Sequence, residues 1–212
     1  MNRIKAIIFD MDGVLINAKD WHCDSFLKAL AFYGYTMTRE EHNILYDGLP
    51  SRKKLELLSK EKELPKELYE QILQLKQKYT VEYINMYCKP LAIHKEALSK
   101  LVEEGYKLAL ASNSIRQTVD LMLEKAELNN FLKFSLSNQD VINPKPDPEI
   151  YNLAISKLKM NPKECLILED NDNGIKSALA SGAHLLKIET IYDVTYHKIK
   201  NRIKEIELDE RN

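Results

Sequence analysis

The sequence predicts an α/β protein: a parallel sheet covered by helices on both faces, interrupted early by an all-helical block. Three observations carry this. An apolar run, IKAIIF at residues 4–9, opens the chain and leads straight into an acid. The next 70 or so residues repeat apolar positions at three- and four-residue spacing, the helical period. Beyond residue 88, short apolar runs alternate with amphipathic ones, which is the pattern of strand and helix taking turns in a parallel sheet.

Residues 4–9 read as a buried strand. The helical block, residues 18–87, contains DWHCDSFLKALAFYGY, TREEHNILYDG, SRKKLELLSKE and PKELYEQILQLKQKYTVEYINMY. Leu68, Ile72, Leu75 and Tyr79 share one helix face there, and Ser, Thr or Pro stands just before several of the runs, as at helix starts. After Pro90, KEALSKLVEEGYKLALASNS gives a helix, a stop at Gly105, a strand KLALA and a polar turn. SIRQTVDLMLEKAEL is a helix and KFSLSN a short strand. DPEIYNLAISKLKM is a helix with Pro148 in its first turn. ECLILED is a strand ending on acids, NGIKSALASG a helix stopped by Gly182, and AHLLKI a last strand. The closing KNRIKEIELDERN predicts a short terminal helix with a frayed tail. The boundaries are an α/β domain over 1–17 and 88–212 and a helical domain over 18–87.

Bulk properties narrow the function. A chain of 212 residues suffices for one domain with a smaller one inserted. It is 44% hydrophobic and 30% charged, with 31 basic against 32 acidic residues, so charge gives no reason to expect nucleic acid. Its longest apolar runs, such as AII and LALA, fall far short of the roughly 18 residues that span a bilayer, and the N-terminus has no signal-peptide pattern. No membrane partner is expected. Cys23, Cys88 and Cys165 are scattered, which argues against a disulfide framework or a cysteine zinc site and fits a reducing cytoplasm. The five histidines show no metal-binding spacing. A monomer is the default.

In parallel α/β sheets ligands sit beyond the carboxyl ends of the strands. The first predicted strand delivers Asp10, Asp12 and Gly13 to that edge, and the second Ser112, Asn113 and Ser114. The region after the third delivers Lys145, and the fourth Glu169, Asp170 and Asp172. Each alone has an ordinary reading as a turn former, a helix cap or a solvated lysine. Together they gather carboxylates that repel one another, for which a hard divalent cation with oxygen ligands is the usual remedy. Mg²⁺ binds through few carboxylates and leaves room for phosphate oxygens. Lys145, the Ser112 hydroxyl and backbone N–H groups after Asp10 and around Asn113 would meet those oxygens.

The ordered set DMDGVL, ASNS, KPDPEIY and LEDNDNGIKSALASG resembles the haloacid dehalogenase superfamily of phosphohydrolases, and within it the subgroup of β-phosphoglucomutase-like phosphatases. The resemblance covers the whole chain. It implies a Rossmann-like core carrying an inserted helical cap that closes over substrate. It also implies site roles: Asp10 as nucleophile, Asp12 as general acid and base, Ser112 as a phosphate-binding hydroxyl, and Lys145 bridging nucleophile and phosphate. Mg²⁺ would be held by Asp10, the Asp12 carbonyl and Asp170, with Glu169 direct or through water. In the cap, His22 matches a histidine common to the subgroup, and YDGLPSRKKL resembles its specificity loop. Ser51, Arg52 and, further on, Lys78 are the substrate-binding candidates there, beside Asn113 in the core.

Asp12 favours phosphate-ester chemistry, because members that cleave carbon–halogen or carbon–phosphorus bonds typically lack an acid at that place. Two departures bear on the choice between phosphatase and mutase. INA stands where the subgroup has V-D-S/T, and Ser51 falls where a mutase has its arginine. The expectation is therefore a Mg²⁺-dependent phosphatase acting on a small phosphomonoester: a sugar, polyol or amino-alcohol phosphate. A β-phosphoglucomutase-like mutase is the alternative within enzymes, and a non-catalytic phosphate-metabolite-binding protein the alternative outside them.

Overall fold

Four residues that prefer a pleated, buried surface, AIIF, form the central strand β1 (Ala6–Phe9), and all four are fully buried. The computed structural model describes residues 3–209 and divides the chain into two compact units, Met1–Asn17 with Lys89–Asn212, and Ala18–Cys88. The second unit is helical: α1 (Lys19–Phe32), α2 (Arg39–Leu45), α3 (Ser51–Lys62) and α4 (Tyr69–Tyr87). The first unit continues with α5 (Ala92–Glu103), β2 (Lys107–Ala111), α6 (Arg116–Lys125), β3 (Ser135–Leu136) and α7 (Glu149–Leu158). It ends with β4 (Cys165–Glu169), α8 (Asp172–Ala180), β5 (His184–Lys187) and α9 (Tyr196–Asp209).

The sheet is parallel throughout, in the order β3-β2-β1-β4-β5. Residues alternate between its faces. Ala6 and Ile8 of β1, Ala109 and Ala111 of β2, and Cys165 and Ile167 of β4 join one buried cluster with Ile150, Tyr151, Ala154 and Ile155 of α7 and Ala178 of α8. Small residues on this face let α7 approach closely. The alternate residues Ile7, Phe9, Leu108, Leu110, Leu166 and Leu168 are equally buried, and α5 packs on β2 while α9 packs on β5 and α5. Both faces are covered, so the strands read as nearly continuous apolar runs.

Three elements differ from the sequence expectation. The third strand shrinks to two residues, Ser135 and Leu136, because Ser137 opens a capping box with Asp140 instead of extending the ladder. Pro148 is the N-cap of α7, just outside its first turn. The terminal helix is a full 14 residues, anchored by Ile199, Ile203 and Ile206 at helical spacing; the frayed tail, residues 210–212, lies outside the described residues.

In the helical unit α1 packs along α4, with α2 on α1 and α3 on α4. Phe26, Leu30, Tyr46, Leu55, Leu58, Tyr69 and Ile72 form its core. Thr38 starts α2 with a reciprocal cap, its hydroxyl accepting from Glu41 N–H while Glu41 accepts from Thr38 N–H. Cys88 falls with this unit rather than with the core, because its N–H still donates to Ile84 at the end of α4. No helix among the described residues is long and apolar enough to cross a membrane.

Candidate active site

The chain runs outward from β1 through β2 to β3, then returns to the other side for β4 and β5. Such a reversal opens a crevice at the carboxyl end of the central strand. Asp10 stands there, its N–H still in the ladder (3.0 Å to Leu168 O) and its side chain 6% exposed. The chain then reverses tightly. Met11 O accepts from Val14, Leu15 and Ile16 N–H at 3.3, 3.0 and 2.9 Å, and Gly13 N–H donates to Ile16 O at 2.7 Å. Gly13 takes φ +92°, a region open chiefly to glycine. The apolar side chains Met11, Val14 and Leu15 are buried beneath this turn. The Asp12 carboxylate accepts from Ser114 Oγ at 2.8 Å.

The turn after β2 supplies Ser112, which is buried and whose Oγ accepts the Ser114 N–H at 3.0 Å. Asn113 does something the sequence did not suggest. Its side chain clamps the backbone of Lys145, donating to the carbonyl and accepting from the N–H, both at 3.1 Å. It sets the lysine loop, which contains a cis Lys145–Pro146 bond.

Lys145 is the hub. Its Nζ, 2% exposed with the rest of the residue, has four oxygens within hydrogen-bond reach: Asp10 Oδ1 at 2.6 Å, Glu169 Oε1 at 2.6 Å, Ala111 O at 2.8 Å and Tyr151 OH at 2.8 Å. Tyr151, on α7, donates its hydroxyl to the same Glu169 oxygen at 2.5 Å. Glu169 Oε2 accepts from Asp170 N–H at 3.2 Å. The Glu169 carboxylate occupies the space beside Gly174 in the first turn of α8. A Cβ there would stand 2.0 Å from Oε1. Asn171 caps that helix, accepting from Gly174 N–H at 3.0 Å.

Asp10 titrates well above the ordinary carboxylate range. Burial is the main cause, then the Glu169 charge, with Asp170 and Asp12 adding to it and Lys145 opposing. Burial works against the Lys145 ammonium, yet Asp10 and Glu169 carry its pKa above the usual lysine value. Burial and the Glu169 charge push the Tyr151 hydroxyl far up, so it stays a neutral donor. One ammonium thus faces several carboxylates. Asp10, Glu169 and Asp170 each offer an oxygen, all within 4.8 Å of one another. An all-oxygen, carboxylate-rich donor set with surplus negative charge fits a hard cation such as Mg²⁺.

The candidates of the helical unit lie as follows. His22 is partly buried on α1, its Nδ1 3.2 Å from Lys76 Nζ on α4; Lys78, two residues on, is exposed. Ser51 is the first residue of α3 behind Pro50, and Arg52 pairs with Glu70, both side chains more than half exposed. Sequence reasoning named neither Tyr151 nor Gly174 as part of the site, though both lie inside the quoted motifs. The lysine beside His22 is Lys76.

Fold and site together define an α/β enzyme with its polar side chains gathered at the carboxyl edge of a parallel sheet. The chain belongs to the haloacid dehalogenase-like hydrolases, whose family model matches residues 7–188. Among its relatives, the phosphorylated carbohydrates phosphatase of Thermotoga maritima is 28% identical over 196 residues, covering 91% of this chain and 86% of that protein. The pyrophosphatase PpaX of Bacillus pumilus is 31% identical over 180 residues, covering 84% and 80%. Two solved structures share the fold. The β-phosphoglucomutase of Clostridium difficile has TM-score 0.84 and 19% identity, covering 97% of this chain and 99% of that one. A variant of CbbY from Rhodobacter sphaeroides in complex with xylulose-1,5-bisphosphate has TM-score 0.80 and 22% identity, covering 92% and 89%.

Proposed function

We propose that this hydrolase is a Mg²⁺-dependent phosphatase that takes a small phosphomonoester through an aspartyl-phosphate on Asp10. The observation that carries the reading is the buried Asp10–Lys145–Glu169 chain, with 2.6 Å contacts on both sides of the ammonium. A nucleophilic carboxylate must be ionised and fixed. Lys145 fixes it and, as a bound Mg²⁺ also would, favours its charged form against the burial and neighbouring carboxylates that raise its pKa. One Lys145 proton would turn from its present acceptors to an incoming phosphate oxygen.

In this reading the Asp10 carboxylate attacks phosphorus, and the bond to the leaving oxygen breaks as Asp12 protonates that oxygen. Asp12 then takes a proton from the water that hydrolyses the acyl phosphate. A hydrogen bond from Ser114 Oγ holds one oxygen of its carboxylate. Ser112 sits buried beside this pair as the hydroxyl for the phosphoryl group. Asp10, Asp170 and the Asp12 carbonyl, with Glu169 direct or through water, would hold Mg²⁺, which would supply positive charge against the carboxylates and the phosphate. Phosphoryl transfer is catalysed mainly by such positioning and neutralisation.

The substrate class is a phosphorylated sugar, polyol or amino alcohol. The Thermotoga maritima relative is named for phosphorylated carbohydrates, which supports the first of these. The relatives named pyrophosphatase make inorganic pyrophosphate the second substrate to try. A mutase must grip a second phosphate. Its natural candidate here, Arg52, is paired with Glu70. The test is phosphate release from a panel of phosphorylated metabolites and pyrophosphate, with Mg²⁺ and without any bisphosphate activator. Release that stops on chelation and in Asp10→Asn is expected. Isomerisation without release would identify a mutase, and no turnover of any ester would overturn the proposal.

A further inference from the structure

Lys145 has three N–H protons and four oxygens within 2.8 Å. One of the four contacts is therefore not a donated hydrogen bond at any instant. Tyr151 resolves the excess. Its hydroxyl hydrogen goes to Glu169 Oε1, the oxygen that Lys145 also holds. Its ring lies 4.6 Å from Nζ, so the ammonium also rests against the aromatic face. The residue is fully buried near the start of α7, in the apolar cluster that also holds Ala111, Ile150 and Ala154.

We propose that Tyr151 is a positioning residue that holds Glu169 in place while Lys145 turns a proton to the substrate. The inference rests on the phosphatase reading above and concerns the same site. An arriving phosphate adds oxygens that compete for the Lys145 protons. Any proton turned toward it leaves one of the present acceptors. Glu169 is fully buried, and a buried carboxylate that loses its donor carries a large penalty. The Tyr151 hydroxyl remains on Oε1 throughout, so Lys145 can release Glu169 without leaving that oxygen unpaired, while Asp170 N–H stays on Oε2. The space beside Gly174 keeps the carboxylate from being displaced from the helix side. A neutral donor suits this task better than a second cation, because it supports Glu169 without competing with Lys145 for the phosphate.

The test is Tyr151→Phe, which keeps the ring and removes only the hydroxyl. Turnover of p-nitrophenyl phosphate with saturating Mg²⁺ is measured alongside the thermal midpoint. The expected result is a fall in kcat of about tenfold or more, the scale of one hydrogen bond to a charged group. KM should stay within about threefold, the mark of an interaction needed after binding. p-Aminophenylalanine at position 151, which restores a neutral donor, should recover most of kcat. A variant with unchanged kcat overturns the inference. So does one that fails to fold, or one whose lost activity matches its unfolded fraction, since these make the residue core packing alone. A wild-type enzyme that turns over no ester at all is a different outcome and sinks the phosphatase reading itself.

Discussion

Two buried lysines, one in each unit, have opposite surroundings. Lys145 in the core is held by the carboxylates of Asp10 and Glu169. Lys54 in the helical unit, 6% exposed, donates to His42 Nε2 at 2.8 Å, with the Phe26 ring 5.5 Å from its Nζ. In the core the ammonium is outnumbered by negative charge, and the surplus favours a further cation. In the helical unit the ammonium stands against a neutral ring and keeps it neutral: burial first, and the Lys54 charge second, push His42 down to about 4. The same side chain therefore completes an ionic site in one unit and fixes a protonation state in the other.

The largest effect that sharpens this contrast is expected at Gly174. Exchanging a helix glycine for alanine ordinarily stabilises by up to about 1 kcal/mol. Here the new Cβ would stand 2.0 Å from Glu169 Oε1, so the carboxylate must leave Lys145 and Tyr151. Gly174→Ala should lower kcat about 100-fold, the scale of a roughly 1 Å misplacement in a catalytic array. Steady-state kinetics on the folded variant check this; full activity would show that Glu169 is not held where the account needs it.

The helical unit should respond to pH instead. His42 has its folded pKa lowered from 6.5 to about 4. The unfolded chain therefore binds the proton more readily, and stability present above pH 6.5 is lost as the pH falls toward 4, by about 3 kcal/mol in total. Trp21, the single tryptophan, lies on α1 and reports on this unit. Denaturant melts followed by its fluorescence should show that slope in the wild type and a much smaller one in His42→Gln. Equal slopes would remove His42 from the explanation.

The smallest effect is expected at Arg52. Its pairing with Glu70 is solvent-exposed, and such pairs contribute about 0–1 kcal/mol. Arg52→Ala should shift the melting midpoint little and leave phosphate release intact. A large loss of turnover would instead give Arg52 a role in substrate binding.

The fold was legible because apolar runs broken by Gly105, Gly182 and the polar turn at 112–114 mark strands and helices directly. The same runs end on Asp10 and Glu169, which is why the charged edge could be read in one dimension. What escaped depends on approach in space. Tyr151 looks like one more apolar helix residue until its hydroxyl is seen on Glu169. Gly174 looks like a weak helix former until the carboxylate beside it is seen. Asn113 reads as a substrate-binding candidate in the turn after β2, yet its side chain grips the Lys145 backbone 32 positions away. In α9, high charge hid a clear Ile199, Ile203, Ile206 stripe.

In the proposed mechanism the carboxylate cluster around Lys145 serves to carry a phosphoryl group on Asp10. Rapid quench of the enzyme with substrate and Mg²⁺, followed by peptide mass mapping, tests it most directly. One phosphoryl group is expected on the peptide containing Asp10, absent after chelation and in Asp10→Asn. Phosphate release with no phosphoryl group ever found on that peptide would contradict it.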